Sequence, residues 1–247
     1  MKKIKSNESY LSHLNPALKL MTHILLMVIL MTVHSAISTL AIWVCVFILG
    51  LTLGGWKGKF LVKVLLPYSI FFVLTFWMLA AFGKGETVVW KWAWFTVTEE
   101  SIGNGLLIAL RMLAFVTIGL LFTTTTNLYV LMMSLIHQWK LSPKWAYGML
   151  AGFRCIPMFQ SDLAQLKEAH RIRGYKHSGT WKAFFRYAVP LITQAIRRSE
   201  QMAIAMEVRG FTGERDRTYY QKTIITSYDY LYFSMVMIIA ISIALLL

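Results

Sequence analysis

Apolar residues occur along this chain in long unbroken blocks. Residues 36–53 and 64–82 hold no charged side chain, 102–122 hold only Arg111, and 230–247 are uncharged. A helix needs roughly 20 such residues to cross the hydrocarbon core of a bilayer. From Leu20 to Leu53 there is no Asp, Glu, Lys or Arg, a stretch too long for one crossing and suited to a helical hairpin turning near His34-Ser35. The pattern predicts five spans, near 18–33, 36–53, 64–82, 102–122 and 230–247. Lys19 and His23 crowd the start of the first.

Between the fourth and fifth blocks the pattern changes to helical amphipathicity. "NLYVLMMSLIHQWKL" (127–141) has an Asn positioned to cap its start and a break at Pro143. "WAYGMLAGF" (145–153) is too short and glycine-interrupted to cross a bilayer, and is expected to pack on the membrane face or within the same segment. Two longer helices are expected after it, Pro157 to about Arg173 and Pro190 to about Arg209, each with proline at its start and glycine past its end. Phe159, Leu163 and Leu166 share one face of the first. Ile192, Ile196, Met202 and Met206 share one face of the second. "GYKHSGT" (174–180) is the loop between them.

Composition agrees with a membrane protein: 57% hydrophobic against 15% charged residues over 247 positions. The domains expected are 1–126 with four transmembrane helices, 127–225 as a basic segment, and 226–247 as the last span. Of the net charge of +14, nine units fall in 127–225, with 15 Lys or Arg against 6 Asp or Glu. The N-terminal "MKKIK" and the loop "GGWKGKFLVK" (54–63) are basic as well, whereas 83–101 has two Lys against three Glu. Orientation follows basic residues near span ends, so the N-terminus and 127–225 are expected in the cytoplasm. The basic N-terminus leads straight into the first hairpin with no small-residue cleavage site, which argues against a cleaved signal peptide. Cys45 and Cys155 have no metal-ligand or CxxC spacing. The alternating tryptophans of "WKWAWF" (90–95) are expected to anchor at the headgroup layer, with a substrate-stacking surface as the alternative.

The two amphipathic helices end alike. Ala169, Arg173, Gly174 and Tyr175 recur in type and spacing as Ala205, Arg209, Gly210 and Phe211. Singly, each is an ordinary helix cap with a cation at the favourable end of the dipole. As a pair in a basic segment, they suggest two arms that dock on two similar acidic surfaces, since guanidinium pairs with carboxylates and stays charged when desolvated.

Through these motifs the chain resembles the transmembrane T component of energy-coupling factor transporters, ATP-binding cassette importers of vitamins and metal ions. That family carries two short Ala-Arg-Gly type motifs at the ends of two cytoplasmic coupling helices. The matching positions are Ile172-Arg173-Gly174 and Val208-Arg209-Gly210, with Ile172 and Val208 departing from the usual Ala. "GFRCIP" (152–157), "FTTTTNLYVLMMSL" (122–135) and "LSHLNPALKL" (11–20) match in the same order. The resemblance implies an all-α polytopic protein of the prokaryotic cell membrane that is not itself an enzyme. On the resemblance, Arg173 and Arg209 are expected to dock two ATPase subunits, and another surface to hold a separate substrate-binding membrane subunit. The faces around Met202 and Met206 are candidates for that surface, since methionine packs adaptably. Arg111, Arg154, Pro157 and Pro190 are candidate structural or coupling positions. The cargo implied is a vitamin, a vitamin precursor, or a cobalt or nickel ion. No cofactor, metal site or catalytic residue is expected in this chain.

Two other classes compete. An intramembrane enzyme needs facing ionisable groups within the spans, and His23, His34 and Arg111 are the candidates. No HExxH motif and no phosphate loop is present, since "GGWKGKF" (54–60) lacks the GxxxxGK[ST] spacing, so an ATPase must act in trans. Nucleic-acid binding finds no module, and basic residues scattered over amphipathic helices fit topology and anionic lipid better.

Overall fold

The computed structural model describes residues 9–83, 87–92, 95–174, 181–214, 218–220 and 222–246. They form two compact units, Met1–Ser134 with Thr223–Leu247, and Leu135–Lys222.

The first unit holds α1 (Pro16–Thr32), α2 (Ala36–Thr52), α3 (Gly58–Phe82), α4 (Glu99–Thr125) and α8 (Ser227–Leu246). Each expected span is a helix, and α1 and α2 turn at residues 33–35 as the charge-free run required. Ser35 caps α2, accepting from the Ser38 amide. Residues 62–82, 99–125 and 227–246 are long and apolar enough to cross a membrane. At 17 residues each, α1 and α2 sit at the lower end of the spanning range. α4 is the central element, packed on α1, α2 and α3, while α8 packs on α1 and α2. Leu26, Leu30, Ile42, Val46, Ile118, Leu121, Tyr232 and Val236 form the buried seam. The outer faces expose Val28, Ile37, Ile70, Trp77 and Ile238, as lipid-facing surfaces do.

A close approach locks the α2–α3 link. A Cβ on Gly50 would meet the ring of Trp56 at 2.5 Å. That buried ring donates its Nε1–H to Thr124 Oγ1 of α4 at 3.0 Å. The "GGWKGKF" stretch is thus a turn with an indole plug.

Between α3 and α4 the structure adds an antiparallel hairpin, β1 (Val88–Trp92) and β2 (Phe95–Thr98), pairing Trp90 with Val97 and Trp92 with Phe95. β-branched and aromatic residues favour extended backbone there. Trp94 lies outside the described residues. Thr98 and Ser101 form a reciprocal capping box that starts α4.

α5 (Leu128–Gln138) begins as expected, with Asn127 Oδ1 accepting from the Tyr129 amide at 2.9 Å. Its last residues belong to the second unit, with α6 (Pro143–Ile172) and α7 (Trp181–Val208). These two helices depart from the sequence reading at their starts. Pro157 and Pro190 lie inside the helices, not at their first turns, and 145–153 is the opening of α6. A proline removes one rung of the helical ladder and crowds the carbonyl four residues back. The helix continues through it when flanking turns and side-chain packing outweigh that cost. Pro143 instead opens α6, where no amide donor is needed. Of the expected loop 174–180, residues 175–180 lie outside the described residues.

Candidate functional site

α6 and α7 run antiparallel. Asp162 pairs with Arg198 at 2.8 Å, and the rings of His170 and Tyr187 lie 5.2 Å apart. Past the end of α7, Phe211 packs edge-on against Tyr147 near the start of α6, at 5.4 Å. Small residues on both helices (Gly148, Gly152, Ala195, Ala203) line a groove of about 530 Å³ between them. Met202 and Met206 line the same groove and are half-buried, so they pack inward. The outward apolar stripe of α7 is Phe185, Val189 and Ile192, each exposed, and α6 carries another, Met149, Phe153 and Ile156.

The two Arg-Gly ends are built alike. Gly174 and Gly210 have φ of 75° and 76°, the left-handed region that a helix-terminating residue enters and that glycine occupies at least cost. The Gly174 amide bonds the Arg171 carbonyl at 3.0 Å, and the Gly210 amide bonds the Glu207 carbonyl at 2.8 Å. At α7 the Phe211 amide also reaches Met206 O, which completes a Schellman cap. Arg173 and Arg209 follow the last helical residues and are exposed, and neither guanidinium has a hydrogen-bond or ion-pair partner among the described residues. The residue before each is apolar and outward: Ile172 is 86% exposed and Val208 82%.

Because the helices are antiparallel, the two ends lie at opposite ends of the pair. Asp162 precedes Arg173 by eleven residues, and Arg198 precedes Arg209 by eleven. Eleven residues make just over three turns, so each arginine stands about 16 Å from the ion pair along its helix, on nearly the same face. This equality was present in the sequence, but the partner of Asp162 was not, and the ion pair escaped sequence reasoning.

The other candidates lie apart. Arg154 and Pro157 are exposed on α6, and Pro190 is half-buried on α7. Arg111 Nη2 donates to the carbonyl of Val33, which ends α1, at 2.6 Å. His34 is exposed in the α1–α2 turn. His23 is buried in the second turn of α1, its Nδ1 2.7 Å from the Lys19 carbonyl and its ring against Phe122. His23 and Val33 are ten residues apart along α1, about 15 Å, so His23 and Arg111 are held separately.

The fold and the paired arginine ends define a polytopic helical membrane protein that carries a two-helix unit with two equivalent exposed tips. A model of the Cobalt transport protein family, CbiQ, matches residues 7–220, and the chain belongs to that family. It is 30% identical over 228 residues to the energy-coupling factor transporter transmembrane protein EcfT of Staphylococcus aureus, covering 87% of this chain and 84% of the relative. With the EcfT of Brevibacillus brevis it shares 29% identity over 236 residues, 90% and 88% of the two chains, and with that of Bacillus subtilis 27% over 234 residues, again 90% and 88%. The protein is a transmembrane component of an energy-coupling factor transporter.

Proposed function

We propose that this chain is the coupling subunit of an ATP-driven importer and that Arg173 and Arg209 each dock one of two ATPase subunits. The observation that carries this is the matched pair of tips: the same glycine cap, the same exposed arginine with no partner among the described residues, and an apolar side chain turned outward before it. A guanidinium flanked by exposed apolar surface is the composition of an interface anchor. Two tips at opposite ends of one helix pair, equidistant from the Asp162–Arg198 contact, suit two ATPases standing side by side. The excess of basic residues in 127–225 and at the N-terminus supports a cytoplasmic location for both.

The exposed stripe Phe185, Val189 and Ile192 is the surface for a separate substrate-binding membrane subunit. That subunit selects the cargo, a vitamin, a vitamin precursor or a transition-metal ion. Nucleotide-driven movement of α6 and α7 is then passed to it. An intramembrane enzyme gains nothing from the geometry, since His23 and Arg111 each bond a backbone carbonyl.

Co-purification of the tagged chain with the products of its neighbouring genes tests the assignment. Each substitution Arg173→Glu or Arg209→Glu is expected to weaken ATPase binding by about 2 kcal/mol or more, roughly thirtyfold, and the double variant to recover none. Full ATPase recovery with the double variant overturns the docking assignment.

A further inference from the structure

The stretch that carries the two tips follows Thr125, the end of α4, and leads back into α8 through Ile224–Thr226; its outer parts, up to Ser134 and from Thr223, still belong to the first unit. Both roots are held by the first turn of α1 and its cap. On the outgoing side, Lys19 Nζ donates to the carbonyl of Thr125, the last residue of α4, at 3.0 Å, and to Leu11 O at 2.8 Å. On the returning side, Asn15 Nδ2 donates to Ile224 O at 3.3 Å. Asp229 joins the two: its Oδ1 accepts the Asn15 amide and its Oδ2 accepts the Thr226 amide, both at 2.7 Å.

These groups are shielded from water. Lys19 is 2% exposed, Asp229 4%, Asn15 5% and Thr125 4%. An ammonium buried against two carbonyls, with no carboxylate among its described partners, is a costly way to fill space, since an apolar side chain of similar length would pack there without desolvating a charge. The placement also has a directional logic. Thr125 O belongs to the end of α4 whose carbonyls have no helical donors, and a cation there meets the negative end of the helix dipole. Asp229, in the first turn of α8, meets the positive end.

We infer that Asn15, Lys19 and Asp229 form a clamp that pins both roots of the coupling segment to the foot of α1. Motion of that segment then acts on α1, α4 and α8 together and is not absorbed in its two connecting strands. The three are positioning residues, and the inference rests on the coupling reading given above.

Hydrogen–deuterium exchange on the complete complex, with and without ATP, reads the clamp directly and needs no transported substrate. In wild type, ATP is expected to change exchange both in 135–222 and in α1, α4 and α8. Lys19→Met removes the outgoing root, and Asp229→Asn and Asn15→Ala each weaken the returning one, so the test survives if one variant fails to fold. In these variants ATPase recovery and the ATP-dependent change in 135–222 persist, while the change in α1, α4 and α8 is lost. Lys19→Arg keeps a donor at the outgoing root and retains the change. A wild-type response in α1, α4 and α8 of all three variants overturns the clamp. So does a loss of every readout in proportion to folded protein, Lys19→Arg included, since that marks a scaffold role alone. A wild-type complex with no ATP-dependent change in 135–222 overturns instead the coupling reading beneath it.

Discussion

Ile172 and Val208 stand directly before the two Arg-Gly ends, and they are among the most exposed hydrophobic side chains of the described residues. Their exposure separates docking from folding. Ile172→Ser with Val208→Ser is expected to change stability by about 0.5 kcal/mol at most, as for surface positions free of special contacts. ATPase recovery falls in the same variant, and a thermal melt run beside the co-purification distinguishes the two effects. Gly50 is the opposite case, since its Cβ would collide with a buried ring that is bonded to α4. Gly50→Ala is expected to cost about 1–3 kcal/mol through forced repacking of Trp56, seen as a lower melting temperature in detergent. Neither effect needs a substrate to be measured.

At the scale of elements, α6 and α7 combine an interrupted ladder with a single described ion pair. Pro157 and Pro190 each withhold an amide from the helix interior, so these long helices are softened at defined points upstream of their tips. Pro190→Ala restores the rung and is expected to slow amide exchange in the turn before residue 190, by an amount within the roughly 3 kcal/mol that separates proline from alanine in a helix. The Asp162–Arg198 pair is partly exposed, with side-chain exposures of 13% and 31%, so its worth to stability is at most about 1 kcal/mol. Its value is positional. Asp162→Arg is expected to loosen the crossing and the Asp162→Arg/Arg198→Asp double variant to restore it, as read by exchange of the amides that flank residues 162 and 198. A double variant no better than the single would remove the pair from the account of how the tips are spaced. The helical bounds were only partly legible, because proline is a strong stop signal locally and a tolerated one where packing on both sides sustains the helix.

For the whole molecule, the basic bias of 127–225 argues for one side of the membrane. Replacing both native cysteines by Ser and placing one thiol at the exposed Gln165 gives a direct reading of that side. A membrane-impermeant maleimide is expected to label Gln165→Cys in inside-out vesicles and not in right-side-out ones, and the reverse result inverts the topology. The sequence by itself determined the membrane class, the run of apolar helices, the turn near His34-Ser35 and the twin Arg-Gly ends. Those are matters of local composition and short spacing, where hydrophobic length and glycine's backbone freedom act within one element. Only the tertiary structure decided what these polar groups meet: Lys19 at Thr125, Asn15 at Asp229, Arg111 at Val33 and Asp162 at Arg198. Apart from the Asp162–Arg198 pair, each of these contacts ends on a backbone group far off in the chain. Every residue carries such groups, so no side-chain pattern marks the partner until folding brings the segments together.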